Sequence, residues 1–171
     1  MNPPCPLDRA AIAARIPHAG PMCLLDQVVD WDEQHIECTS ASHRRHDGTA
    51  HPLGQGGRLP ATAAIEYAAQ AMALHGRLVQ ERPAAGPGAE AAAPRRGFLA
   101  ALRSVQLHCR WIEPGWPMLT VRVERFAGDD VQVLYDFTVH GDGLVAQGRA
   151  VVVLDAGARH TASAASGATP R

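Results

Sequence analysis

The feature that most constrains the fold is the stretch Ala61–Glu81, which holds no proline and a single glycine, Gly76. Its Ala, Ile, Met and Leu content predicts one long helix, with Pro60 at the first helical position, where a missing N–H costs nothing. The helix is apolar almost all round, so it needs cover on nearly every side. A single curled sheet supplies most of that cover, and a partner subunit can complete it.

The rest of the chain reads as strands. Met22–Trp31 and His35–Ser42 flank the turn signal Trp31-Asp32-Glu33-Gln34 and form a hairpin. After the helix come Phe98–Cys109, Met118–Phe126, Val131–Val139 and Leu144–Leu154. In the third of these, Val131, Val133, Tyr135, Phe137 and Val139 fall on one face. Turns at Gly128-Asp129-Asp130 and Gly141-Asp142-Gly143 favour an antiparallel meander. Strands around a single helix imply an α+β fold. Residues 1–15 read as an arm with a helical piece over Leu7–Ile16, 16–155 as one domain, 83–96 as a mobile loop and 156–171 as a disordered tail.

Composition narrows the function class. Sixteen basic residues, all arginine, oppose seventeen acidic ones. That balance lacks the basic footprint of a nucleic-acid binder, and the absence of lysine excludes a Schiff-base mechanism. No apolar run approaches a membrane span, so a cytoplasmic protein is expected. Cys5, Cys23, Cys38 and Cys109 form no C-x-x-C pair and read as reduced thiols. No G-x-G-x-x-G or P-loop pattern points to a nucleotide.

The candidate chemistry centres on Glu66. Thr62, Glu66 and Gln70 recur at intervals of four and form one polar stripe on the apolar helix. A carboxyl desolvated there is pushed toward values useful to a general acid. Just before the helix, the loop 43–59 carries His43, His46 and His51, which can exchange protons near neutrality. With Asp47 these histidines make a weaker metal candidate, because a loop lacks the helical spacing of zinc hydrolases. Backbone N–H groups at the helix start can hold an oxyanion. His18, in a Pro-flanked turn, reads as structural, and Ser42 and Ser104 lack a nucleophile elbow.

Two stretches resemble the hotdog-fold 3-hydroxyacyl-ACP dehydratases. Ile16–Val28 (IPHAGPMCLLDQV) is similar to their opening P-H-x-x-P-[MF]-x-L-x-D signature. His51-Pro52-Leu53-Gly54, Pro60 and Glu66-Tyr67-Ala68-Ala69-Gln70 resemble their active-site stretch, H-F-P-G followed by E-x-x-A-Q. The wording of Arg58–Gly76 looks nearest to the dehydratase-like proteins of aryl-polyene and related pigment clusters. Two positions depart from the pattern. His51 stands fifteen residues before Glu66, one more than in the family, and Ala61 replaces a glycine.

The resemblance implies a hotdog fold, an antiparallel sheet wrapped around Ala61–Glu81. It implies water elimination from a 3-hydroxyacyl thioester carried on acyl carrier protein phosphopantetheine, with no other cofactor and no metal. His51 or His43 would remove the α-proton, and Glu66 would help the β-hydroxyl leave. Gly54, Gly57, Pro60, Ala61 and Gln70 would contact substrate or the enolate oxygen. Such domains pair edge to edge, as a homodimer or with a related subunit, and the acid and base can come from opposite chains. An acyl thioesterase and a non-catalytic partner subunit are the alternatives on the same fold.

Overall fold

The computed structural model describes residues 6–44, 50–82 and 96–155. The chain opens with β1 (Leu7–Asp8), α1 (Arg9–Ala13), β2 (Gln27–Trp31) and β3 (His35–Ser40). A two-residue strand β4 (Leu59–Pro60) precedes α2 (Ala63–Glu81). Then follow β5 (Gly97–Leu107), β6 (Trp111–Ile112), β7 (Leu119–Gly128), β8 (Gln132–His140) and β9 (Leu144–Leu154).

Seven strands form one antiparallel sheet in the order β1-β2-β3-β7-β8-β9-β5. The hairpin β2–β3 closes on Asp32, whose Oδ1 accepts the N–H groups of Gln34 and His35. The consecutive strands β7–β8–β9 form the expected meander. β5 does not join it in sequence order; it pairs with β9 at the far edge. The expected arm is packed into the domain, because β1 pairs with β2 and Ile12 is fully buried.

Alternation places Ile36 and Cys38, Val121 and Val123, and Tyr135 and Phe137 on the inner face, where α2 lies against β3, β7 and β8. The helix contributes Ala64, Tyr67, Ala68, Ala71 and Leu74, all fully buried. Each large apolar side chain buried this way contributes roughly 1.5–3 kcal/mol. Its small residues let the sheet backbone approach closely.

The helix begins later than its composition suggests. Pro60 is not in its first turn but pairs with Trp111, and the Ala61 N–H donates to Arg110 O at 3.0 Å. This short ladder keeps the backbone extended through Pro60, and Thr62 becomes the N-cap. The cover on α2 is incomplete. Ile65, Ala69, Ala73 and Gly76 form a half-exposed stripe. Among the described residues no helix is long and apolar enough to cross a membrane. Cys23, Cys38 and Cys109 are free thiols. Residues 83–95 of the loop expected over 83–96, and the tail 156–171, lie outside the described residues.

Candidate functional site

The dehydratase-like signature at 16–28 is a strap that crosses α2. Gly20 turns it at a φ of 55°. Arg9 fastens it by donating to Asp26 Oδ1 and Cys23 O, and Asp26 Oδ2 accepts the Ala41 N–H. Ser40 Oγ donates to Leu24 O. The strap is then tied to the helix by Gln70, which is fully buried. Gln70 Oε1 accepts the Leu24 N–H at 2.9 Å, and its Nε2 donates to Met22 O at 2.8 Å and to Glu66 Oε1 at 3.0 Å. The Leu24 donor fixes the amide orientation, so an N–H must face Glu66.

Glu66 is half-buried rather than enclosed, its side chain 31% exposed. The imidazole beside it belongs to His18, whose Nε2 lies 3.1 Å from Oε1. Glu66 Oε2 has no hydrogen-bond partner among the described residues.

The two loop histidines point elsewhere. His51 Nδ1 accepts the Leu53 N–H at 3.1 Å, so in the neutral ring Nε2 carries the proton and donates to Tyr67 Oη, also at 3.1 Å. Tyr67 Oη shares a proton with Ser42 Oγ at 2.7 Å, and Ser42 Oγ with Ser40 Oγ at 2.9 Å. Tyr67 follows Glu66 directly, about 100° further round the helix. His51 and Glu66 therefore address different faces of α2. His43 is buried, and its Nε2 donates to Trp116 O at 3.0 Å. His46 and Asp47 of the metal candidate lie outside the described residues, among which no three metal-ligating side chains converge.

Two of the backbone donors expected near substrate are already engaged. The Gly54 N–H is committed to His51 O at 2.8 Å, and Ala61's to Arg110. Pro60 has none to give. A Cβ on Gly54 would stand 2.9 Å from His51 O, which explains the glycine. Gly56 and Gly57, at φ 56° and 77°, form the tip of a tight turn closed by Gln55 and Arg58. Both positive angles match a type I′ turn, so the extra residue between His51 and Glu66 falls in a turn that only glycines fit easily. At the helix start, the amides of Thr62 and Ala63 have no backbone acceptor among the described residues. Gln70, expected to touch substrate, has its carbonyl and both amide protons in use.

Known proteins agree with this architecture. The family model of the ApeP-like dehydratases matches residues 10–162. The chain belongs to that family. Among solved structures it is similar to a chain of the ApeI:P dehydratase heterocomplex from Xenorhabdus doucetiae, with a TM-score of 0.64 and 23% identity over 84% of this chain and 90% of that one. It is also similar to AziG of S. sahachiroi (TM-score 0.54, 12% identity, 78% and 91% covered). The E. coli PaaI protein of the phenylacetic acid degradation operon gives a TM-score of 0.50 at 13% identity, with 85% and 88% covered. These likenesses establish the hotdog fold. No curated protein matches the sequence. His18 beside Glu66, and Tyr67 and Ser42 beside His51, are contacts that the sequence alone did not signal.

Proposed function

We propose that this chain is one subunit of a 3-hydroxyacyl-[acyl-carrier-protein] dehydratase that eliminates water to give a trans-2-enoyl thioester. The observation that carries this reading is Glu66. In a chain of a dehydratase family, its Oε1 is fixed by Gln70 and its Oε2 is left for substrate.

The elimination needs a base for the α-proton, a donor for the departing β-hydroxyl and stabilisation of the enolate-like oxygen. Glu66, protonated on Oε2, delivers that proton to the hydroxyl, which leaves as water. The α-proton taken up by the base returns to the carboxylate to reset the site. The thioester oxygen meets the Thr62 and Ala63 amides at the N-terminus of α2, where the helix dipole adds to their effect. An imidazole takes the α-proton, with His51 or His43 in that role. Because His51 and Glu66 face different sides of the helix, the pairing is made between subunits, one chain's imidazole meeting the other's carboxylate. Positioned proton transfer of this kind contributes on the order of 10² to 10⁴ in rate. The apolar stripe Ile65, Ala69 and Ala73 beside Glu66 accommodates an acyl or polyene chain presented on phosphopantetheine of an acyl carrier protein. The partner is a second copy or a related hotdog subunit. No metal or nucleotide has a part in these steps.

Incubation with 3-hydroxyacyl-ACP tests the reading. Enoyl absorbance is expected. Free thiol without enoyl product would make the protein a thioesterase. Enoyl product that forms only when a related subunit is added, and survives Glu66→Gln, would make it the non-catalytic partner. That second reading is favoured by one observation, the engagement of both His51 nitrogens away from Glu66.

A further inference from the structure

We propose that His18 is a positioning residue for Glu66, acting within the same chain; this rests on the dehydratase reading. His18 Nε2 sits 3.1 Å from Glu66 Oε1. The other ring nitrogen, Nδ1, is buried and has no hydrogen-bond partner among the described residues. A proton on Nδ1 would leave a buried donor unpaired and turn the Nε2 lone pair toward a carboxylate oxygen. Both are unfavourable, so the ring proton belongs on Nε2, facing Glu66.

Oε1 is thereby met by two N–H groups, from Gln70 on its own helix and from His18 on the strap. The two come from different elements, which Gln70 also joins through Leu24 and Met22. Gln70 is buried within α2, and the strap is pinned by Arg9, Asp26 and Ser40. Pro17 and Pro21 limit the backbone freedom on either side of His18. A carboxyl group held from two directions at Oε1 is restricted about its χ angles, and Oε2 is presented in one orientation. The His18 and Glu66 side chains are similarly exposed, at 27% and 31%, so the pair lies where a substrate can reach Oε2. His18 itself touches no reacting atom. Its effect passes through Glu66.

The test uses the full chain in its assembled state with 3-hydroxyacyl-ACP. His18→Ala is expected to lower kcat about 100-fold with KM within about twofold, the loss that a shift of ~1 Å in a reacting group brings. His18→Gln, whose Nε2–H reaches the same place, is expected to recover most of it. Wild-type kcat in His18→Ala, or His18→Gln no better than His18→Ala, would overturn the proposal. Mixing His18→Ala chains with Glu66→Gln chains is expected to restore nothing, since each chain's own site still carries one of the two defects; recovery would show that the pair forms between chains. A readout free of turnover is the ¹⁵N spectrum of histidine-labelled protein, in which Glu66→Gln is expected to move the His18 Nε2 resonance. An unmoved resonance would overturn the contact. A wild-type chain that forms no enoyl product would instead sink the dehydratase reading alone.

Discussion

At the scale of single residues, the polar groups inside this protein are arranged so that each partner fixes another's proton. His75 is the second example. It is fully buried; its Nε2 donates to Asp32 O at 3.0 Å and its Nδ1 accepts from Tyr135 Oη at 3.0 Å. Burial pushes the His75 ring down to about 4, with the bond to Asp32 opposing. Burial likewise pushes the Tyr135 hydroxyl up to about 12, so it stays a donor. A histidine depressed in the fold binds its proton more weakly than in the unfolded chain. Its contribution is complete above the unfolded value near 6.5 and is lost as pH falls toward 4. The loss amounts to roughly 3 kcal/mol. Denaturant titrations from pH 7 to 4 should show this slope in the wild type and a shallower one in His75→Gln. Equal slopes would remove His75 from the account. At the site, Gln70→Leu leaves the Leu24 N–H and Met22 O without their partner, which should cost about 1–3 kcal/mol in chemical denaturation and slow turnover as Glu66 loosens. A variant as stable and as fast as the wild type would show that the strap needs no such tie.

At the scale of elements, the sequence was legible wherever periodicity or turn chemistry carried the signal. The strand Leu144–Leu154 and the Glu81 end of α2 stand where their patterns place them. The beginning of α2 does not, since a proline suits a helix start and a strand edge equally, and the deciding partner, Trp111, lies some fifty residues away in sequence. The candidate site shows the same division. Glu66 and Gln70 were visible from their spacing of four. The imidazole beside Glu66 was not, because the strap that carries His18 is brought over the helix only by tertiary bonds from Arg9, Ser40 and Gln70. The three-histidine loop attracted attention by its composition, yet His51 and His43 spend their Nε2 protons on Tyr67 and Trp116 O. One further element departs from its propensity. Ser104 sits at φ 51° within a bulge of β5, where the register against β9 shifts between Arg103 and Gln106. That left-handed conformation costs a non-glycine residue about 1–2 kcal/mol. Ser104→Gly should raise stability by a sizeable part of that amount in thermal or denaturant melts. A destabilised Ser104→Gly would mean that the serine side chain supports the bulge.

At the scale of the whole molecule, the sheet is finished on one side and open on the other. β1 is two residues long, whereas β5 is an eleven-residue edge strand with Phe98, Leu99, Leu102 and Leu107 exposed. A long apolar edge is a liability unless it is covered. Pairing along this edge suits both that need and the half-covered stripe of α2. Leu102→Arg should shift the protein toward single chains in sedimentation and reduce turnover in parallel. Unchanged assembly would place the interface elsewhere. The proposed chemistry stands or falls on one carboxylate, so the most direct measurement is the mass of the acyl chain recovered from 3-hydroxyacyl-ACP after incubation with wild-type and Glu66→Gln protein. Loss of one water is expected with the wild type, and intact hydroxyacyl substrate with the folded variant. Dehydration at the same rate by both would contradict the proposed chemistry.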